Sequence, residues 1–490
     1  MSTTNYQSYK GIPSIAGVCS MADAMKPGLS VEECVRRHKR YHWAFRRLHE
    51  IFTARIPAEP IYELKMAFSL HAHLCAEHTA ALRKRVGEMR EPPLGLEECP
   101  DANLDVFFDE ILCAPTTEEL VLGLYEKAVP ALQAGLERHL ADTNRLADHP
   151  SVRVCRFALM ELAEVADFGR KTIQCLVDAK TRQRVAGWLQ LLDDCLAAAG
   201  GLDGVAAAVP GGNGRSAAGT AATATRTIVR QHSATPYKFD GTPKRDERFP
   251  DPYNMGVNAE TFLYTPEFSP RAKTLMMFYK RIREIDVPEM MASILTETKG
   301  KPWEYYREMT RQLWDEARHG MMGEVGFVAS GVDWRKVMIN FTWSLGLNTQ
   351  LKPWERHAVL YFIEQGLMPK TGKRYEWETA VASQNPLSAL FQDYDWADEV
   401  LHAQIGRTWY VPEFKSTQEA LKYGDECWSK VLSNWRGWKE AGLTQHRNWW
   451  PDVYRDACKV WGIEPDPKEL AFNQTYETTR ADLKQMTGSA

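Results

Sequence analysis

Apolar residues recur at intervals of three and four along most of this chain, the period of helices with one buried face. Alternating runs rich in β-branched residues are few, and no Asn-Gly or Asp-Gly pair joins two of them as a hairpin would. The pattern predicts an all-α protein. In the second half the helix punctuation is explicit. Ser269-Pro270 opens a run through "RAKTLMMFYKRIREIDVPEMMASILTE", with a kink expected at Pro288. Pro302 starts a second run that stops at Ser330-Gly331, a C-cap signal. Residues 333–346 carry a shorter helical pattern. Pro353 starts a third long run ending before Pro369, and Pro386 a fourth ending before Pro412. Ser416 and Glu419 form a capping box for one more helix reaching about residue 439.

Between these patterned stretches the composition shifts. A chain of 490 residues exceeds one compact core, so two or three domains are expected. Residues 1–197 read as one helical bundle. Residues 198–226 are mostly small, carry few charges and are rich in Ala and Gly, as a flexible linker is. Residues 227–267 read as an extended arm, 268–412 as a four-helix bundle and 413–490 as a helical extension. The exposed apolar and Trp-rich C-terminal helices leave room for a homodimer.

Charge and cysteines remove several classes. A formal charge of −4 gives no support for a nucleic-acid surface, and no apolar run approaches a membrane span. The opening "MSTTNYQSYKG" has neither a basic nor an apolar signal region, so a cytoplasmic protein is expected. None of the ten Cys forms a Cys-x-x-Cys pair, which argues against zinc clusters and redox dithiols.

The candidate chemistry lies in the helices of 268–412. Glu-x-x-His occurs twice, as Glu316/His319 in "WDEARHG" and Glu399/His402 in "DEVLH". Each pair shares one helix face, and each alone reads as a surface ion pair. Glu284 precedes Glu316 by 32 residues and Glu364 precedes Glu399 by 35, each in apolar surroundings. A Glu helix followed by a Glu-x-x-His helix, twice, is the order that a four-helix di-metal site requires. Glu289, beside Pro288, competes with Glu284 as an alternative ligand. Tyr361, one turn before Glu364, is assigned to core packing.

These six residues and their spacing resemble the ferritin-like di-iron carboxylate superfamily. "DEARH" is similar to the Asp-Glu-x-Arg-His motif of bacterial multicomponent monooxygenase hydroxylases, while "DEVLH" lacks the Arg. The resemblance implies a ferritin-like four-helix bundle with Glu284, Glu316, His319, Glu364, Glu399 and His402 as metal ligands. Asp315 and Asp398 would hold the outer nitrogens of the His rings. Two Fe ions, or Mn or a mixed Mn/Fe pair, suit four carboxylates and two imidazoles better than zinc does.

The first half reads as a degenerate copy of the same plan. "HLCAEHTA" lays Cys75 on Glu316 and His78 on His319, and Glu126 and Glu161 repeat the 35-residue interval, with Glu164 in the place of His402. This altered ligand set points to a structural bundle. The functional expectation is an oxidase or oxygenase using O2 on a small organic substrate, with an external electron donor. The alternatives are a ferroxidase or peroxide-handling protein, or a scaffold stapled by its metals.

Overall fold

The computed structural model describes residues 6–90, 95–205, 228–254, 256–340, 342–432, 435–445 and 447–475. Within these residues the chain is all-helical, as expected; no strand is present, and one isolated bridge joins Val257 and Thr475. None of the described helices is long and apolar enough to cross a membrane. Most of the expected linker, from residue 206 onward, lies outside the described residues.

The chain divides into two compact units, one of residues 1–51 and 74–238, the other of residues 52–73 and 239–490. The first carries most of α1 (Val31–Arg55) and α2 (Tyr62–Met89), then α3 (Ala102–Leu112), α4 (Val129–Asp142), α5 (His149–Leu176) and α6 (Ala179–Ala198). A π-helical turn, Leu122–Ala128, runs directly into α4. α4 packs on α5, and α3 on α6.

The second unit contains α7 (Pro270–Arg283), α8 (Asp286–Glu297), α9 (Trp303–Ala329), α10 (Pro353–Gly366), α11 (Lys373–Ala382), α12 (Pro386–Trp409) and α13 (Thr417–Leu432). The expected start signals work as read. Ser269 accepts from the Ala272 amide ahead of Pro270, and Asn385 accepts from the Ser388 amide ahead of Pro386. α7 and α8 pack on α9, α9 on α12, α12 on α10, and α10 on α8.

Three expectations need correction. The first long helix is not merely kinked at Pro288 but broken into α7 and α8, with Glu284 as the last cap rather than a mid-helix residue. Pro288 has no N–H for the carbonyl four residues back, which is that of Glu284, and its ring crowds that carbonyl. The Glu284 carbonyl accepts instead from the Val287 amide at 3.0 Å. The 413–490 segment is part of the second unit, with α13 lying along α10. So are residues 52–73, where Tyr62 donates to Glu324 and Lys65 reaches Glu289.

Candidate metal centre

α9 and α12 are long amphipathic helices, so residues three apart on each face the same interior. That register brings Glu316 and His319 together from α9, and Glu399 and His402 from α12. Glu364 enters from the last turn of α10, and Glu284 from the break between α7 and α8. All except Glu284 are buried; its side chain keeps 17% exposure where it borders a cavity.

The six side chains converge. Glu284, Glu316 and His319 each offer a ligand atom within 4.8 Å of the others, and so do Glu316, Glu364, Glu399 and His402. Glu316 belongs to both sets. Several of these atoms complete no hydrogen bond although they are buried: Glu284 Oε2, Glu316 Oε1, Glu399 Oε2, His319 Nδ1 and His402 Nδ1. A buried polar atom left in that state costs about 1–3 kcal/mol. Instead these atoms face one another, His319 Nδ1 3.3 Å from Glu284 Oε2 and His402 Nδ1 3.2 Å from Glu316 Oε1, a converging set of carboxylate oxygens and imidazole nitrogens that could hold metal ions.

The outer ring nitrogens are held by the two Asp residues, in a crossed arrangement. His319 Nε2 lies 3.1 Å from Asp398 Oδ2, and His402 Nε2 lies 3.4 Å from Asp315 Oδ2. Each Asp therefore serves the His of the other motif. Residues adjacent on a helix point about 100° apart, so the Asp before each Glu faces the neighbouring helix rather than its own His. Arg318, the Arg of "DEARH", donates to both Asp315 and Asp398 and ties the two together. Burial raises the Asp315 carboxyl, but His402 and Arg318 outweigh it and hold the group below the usual range.

Three residues absent from the sequence reading complete the interior. Asp395 sits one turn before Glu399 on the same face, fully buried, with one oxygen 3.5 Å from His319 Nδ1. Arg281, one turn before Glu284, pairs with Asp395 and lies 3.0 Å from Glu284. Lys373, at the start of α11, lies 3.0 Å from Asp395 and 2.9 Å from Glu399. His319, Asp395 and Glu399 form a third ligand-distance group, but Asp395 is committed to the two cations. The helical spacing from Glu284 and Glu399 could have flagged Arg281 and Asp395. Nothing in the sequence points to Lys373.

Glu289, the alternative ligand, is elsewhere. It bonds Lys65 at 2.9 Å, Arg245 at 3.0 Å and the Ser344 hydroxyl at 2.6 Å, in a separate buried ionic cluster with Asp286. Its two full cationic partners leave it no role at the centre. Tyr361 packs over Gly406, where an added Cβ would lie 2.2 Å from the ring, consistent with its core assignment.

The centre's own groups hold protons strongly. Burial alone would lower His319, but the carboxylates of Asp398, Glu284 and Glu316 around it raise it to about 10. His402 is likewise raised well above the usual imidazole value by Asp315, Glu316 and Glu399 against the same burial. Burial and the Glu399 charge push Glu364 well above the carboxylate range. Gln312 donates to Glu364 Oε1 at 3.1 Å. Burial also raises Glu284, yet Arg281 and Lys373 prevail and bring it to about 2. A cation entering here must displace the protons of His319, His402 and Glu364. Metal uptake by the metal-free chain at neutral pH is therefore expected to release protons, with affinity rising as pH rises toward about 10. Isothermal titration in buffers of different ionisation enthalpy measures this. A pH-independent affinity would contradict it.

A cavity of about 860 Å³ opens onto Glu284, Glu316, Glu364 and Glu399. Its wall combines apolar Val287, Met290, Ile363 and Leu367 with basic Lys280 and Arg283.

In the other unit the residues expected to form an altered ligand set come together only in part. His78 Nε2 meets Glu161 at 2.6 Å beside buried Cys75. Glu126 instead pairs with Arg182 of α6 at 2.8 Å, and Glu164 is exposed on α5.

The folded centre defines a buried carboxylate–histidine cluster within a helical unit. Comparison with family models, curated proteins and solved structures finds no match to this chain.

Proposed function

We propose that the chain is an O2-activating, non-haem di-iron or Mn/Fe oxidase or oxygenase, built on a ferritin-like four-helix bundle and acting on a small organic substrate. The observation that carries this reading is Glu316, common to two ligand sets that each also contain a His. One shared carboxylate between two such sets is what a dinuclear site needs. Two redox-active cations held by Glu284, Glu316, His319, Glu364, Glu399 and His402 would supply O2 binding and electron transfer, which side chains alone cannot.

The chain's own residues do the rest. Asp398 and Asp315 fix the tautomers of His319 and His402 so that Nδ1 of each faces the interior. Lys373 and Arg281 offset Asp395 and steady Glu399 and Glu284, keeping the carboxylates ionised in a dry setting. The apolar part of the cavity wall gives an organic substrate a surface to pack against. That cavity favours turnover of an organic molecule over iron storage. A reductant from outside the chain completes the electron balance.

The test is anaerobic Fe(II) loading followed by O2. About two metals per chain are expected, by analogy with such carboxylate sites, with a transient visible absorption after mixing. A cognate substrate should accelerate the decay of that absorption. Absence of Fe(II) binding, or iron oxidation ending in mineral with every organic candidate inert, would overturn the assignment.

A further inference from the structure

The first unit contains a cluster of soft ligands that the carboxylate chemistry does not use. α1 contributes Cys34 and His38, one turn apart on the same face; α4 contributes His139; α5 contributes Cys155. His38, His139 and Cys155 are fully buried, and Cys34 nearly so. A ring nitrogen of His38, a ring nitrogen of His139 and the Cys155 sulfur lie within 4.8 Å of one another. We infer that this cluster is a second, chemically distinct metal site, taking a zinc-type divalent cation on His38, His139 and Cys155.

Two observations point past simple packing. Neither ring nitrogen of His38 completes a hydrogen bond, although the residue has no exposure. His139 is arranged as a ligand with an outer partner. Its Nε2 lies 3.2 Å from Asp148 Oδ2, while its Nδ1 completes no hydrogen bond. A carboxylate on the far nitrogen fixes the tautomer and presents the other nitrogen to a cation. Asp148 is itself anchored, by the Arg85 guanidinium at 3.1 Å and the Thr143 hydroxyl at 2.9 Å.

The donor set selects the cation. Two imidazoles and one sulfur in a buried pocket match a zinc-type cation, whereas the second unit's centre is made of oxygens and imidazoles. Cys34 stands outside that group, its thiol donating at 3.5 Å to Asp148 Oδ2, the oxygen that meets His139 Nε2. Binding replaces the Cys155 thiol proton by the cation. Such an ion would staple α1, α4 and α5. This inference stands on different residues and different donor atoms from the proposed oxygen chemistry, and neither depends on the other.

The test uses the full-length reduced chain loaded with Co(II), whose bond to thiolate gives an intense near-ultraviolet charge-transfer band. The carboxylate centre has no sulfur ligand and cannot produce that band. The unvaried chain is expected to show it, Glu316→Ala to retain it, and Zn(II) to abolish it by displacement. Cys155→Ser and His38→Gln, each checked by circular dichroism for an intact fold, are expected to lose the band. Its absence from the unvaried chain overturns the site, whatever the variants do. So does its persistence in either folded variant.

Discussion

Glu316→Ala is expected to remove both metals and to reduce O2-dependent turnover to background. Glu316 is the one residue found in both ligand sets, so its loss leaves Glu284 and His319 on one side, and Glu364, Glu399 and His402 on the other, with nothing between them. No nearby group can substitute, because Asp395 is held by Arg281 and Lys373. The loss should exceed the effect of removing an outer partner, about 10–100-fold in metal affinity. Asp315→Asn and Asp398→Asn provide that comparison, and the crossed bonds predict which half each disturbs. Asp315→Asn should weaken the side served by His402, and Asp398→Asn the side served by His319. Metal analysis with ⁵⁷Fe Mössbauer spectroscopy of the loaded variants separates the two iron environments. Retention of two irons by Glu316→Ala, in a folded chain, would sink the shared-carboxylate reading.

The helices and their starts were legible because Pro at the first turn and a Ser or Asn cap act locally, within a few residues of sequence. Ser269 caps ahead of Pro270 as expected, and Ser416 caps with the Glu419 amide 3.2 Å from its Oγ, while the return bond of the expected capping box goes from the Lys415 amide to the Glu419 carboxylate instead of from that of Ser416. The convergence of Glu316, His319, Glu399 and His402 was also legible, since helical register alone puts each pair on one face. The state of Glu284 was not. Its place at a helix end follows from Pro288 four residues later, an effect that needs the carbonyl geometry and not the apolar pattern. Glu289 falls within a run as apolar as that of Glu284, so pattern could not separate them. What separates them is tertiary: Lys65, more than two hundred residues upstream, and Arg245 both close on Glu289. Lys373 was invisible for the same reason. Its ammonium reaches Asp395 and Glu399 only because the chain turns back after α10, where the Lys373 amide donates to the Leu367 carbonyl at 3.2 Å. In the first unit, equal spacing suggested a repeated ligand set, yet Arg182 captures Glu126. Spacing fixes which residues share a face, not what approaches that face.

Gly323→Ala is expected to damage the fold and the centre together. α9 presents Gly320, Gly323 and Gly326 at three-residue intervals to the α7–α8 wall, and that stripe lets the two backbones approach closely. A Cβ at Gly323 would lie 2.2 Å from the Ile282 amide nitrogen and 2.6 Å from the Phe278 carbonyl oxygen. Those are main-chain atoms of a packed helix and cannot rotate away, so α7 itself must move. Overpacking of this kind costs about 1–3 kcal/mol, and rigid backbone partners place this case toward the upper end. Ile282 is two residues before Glu284, and Ile285, which faces Gly320, is one residue after it. The displacement is therefore carried straight to the Glu284 ligand, while Glu364, Glu399 and His402 sit on α10 and α12, and α12 meets α7 through the Arg281–Asp395 pair rather than at the stripe. Fe(II) affinity on the Glu284–His319 side should fall while the other side still binds. Gly187→Ala is the matched control, a helical glycine with nothing within 4 Å of the added Cβ. Removing that glycine should be neutral or stabilising by about 0.5–1 kcal/mol. Thermal unfolding and metal stoichiometry on the two variants decide the matter. Gly323→Ala behaving like Gly187→Ala in both would mean that α7 and α9 are not held in register by the glycine stripe.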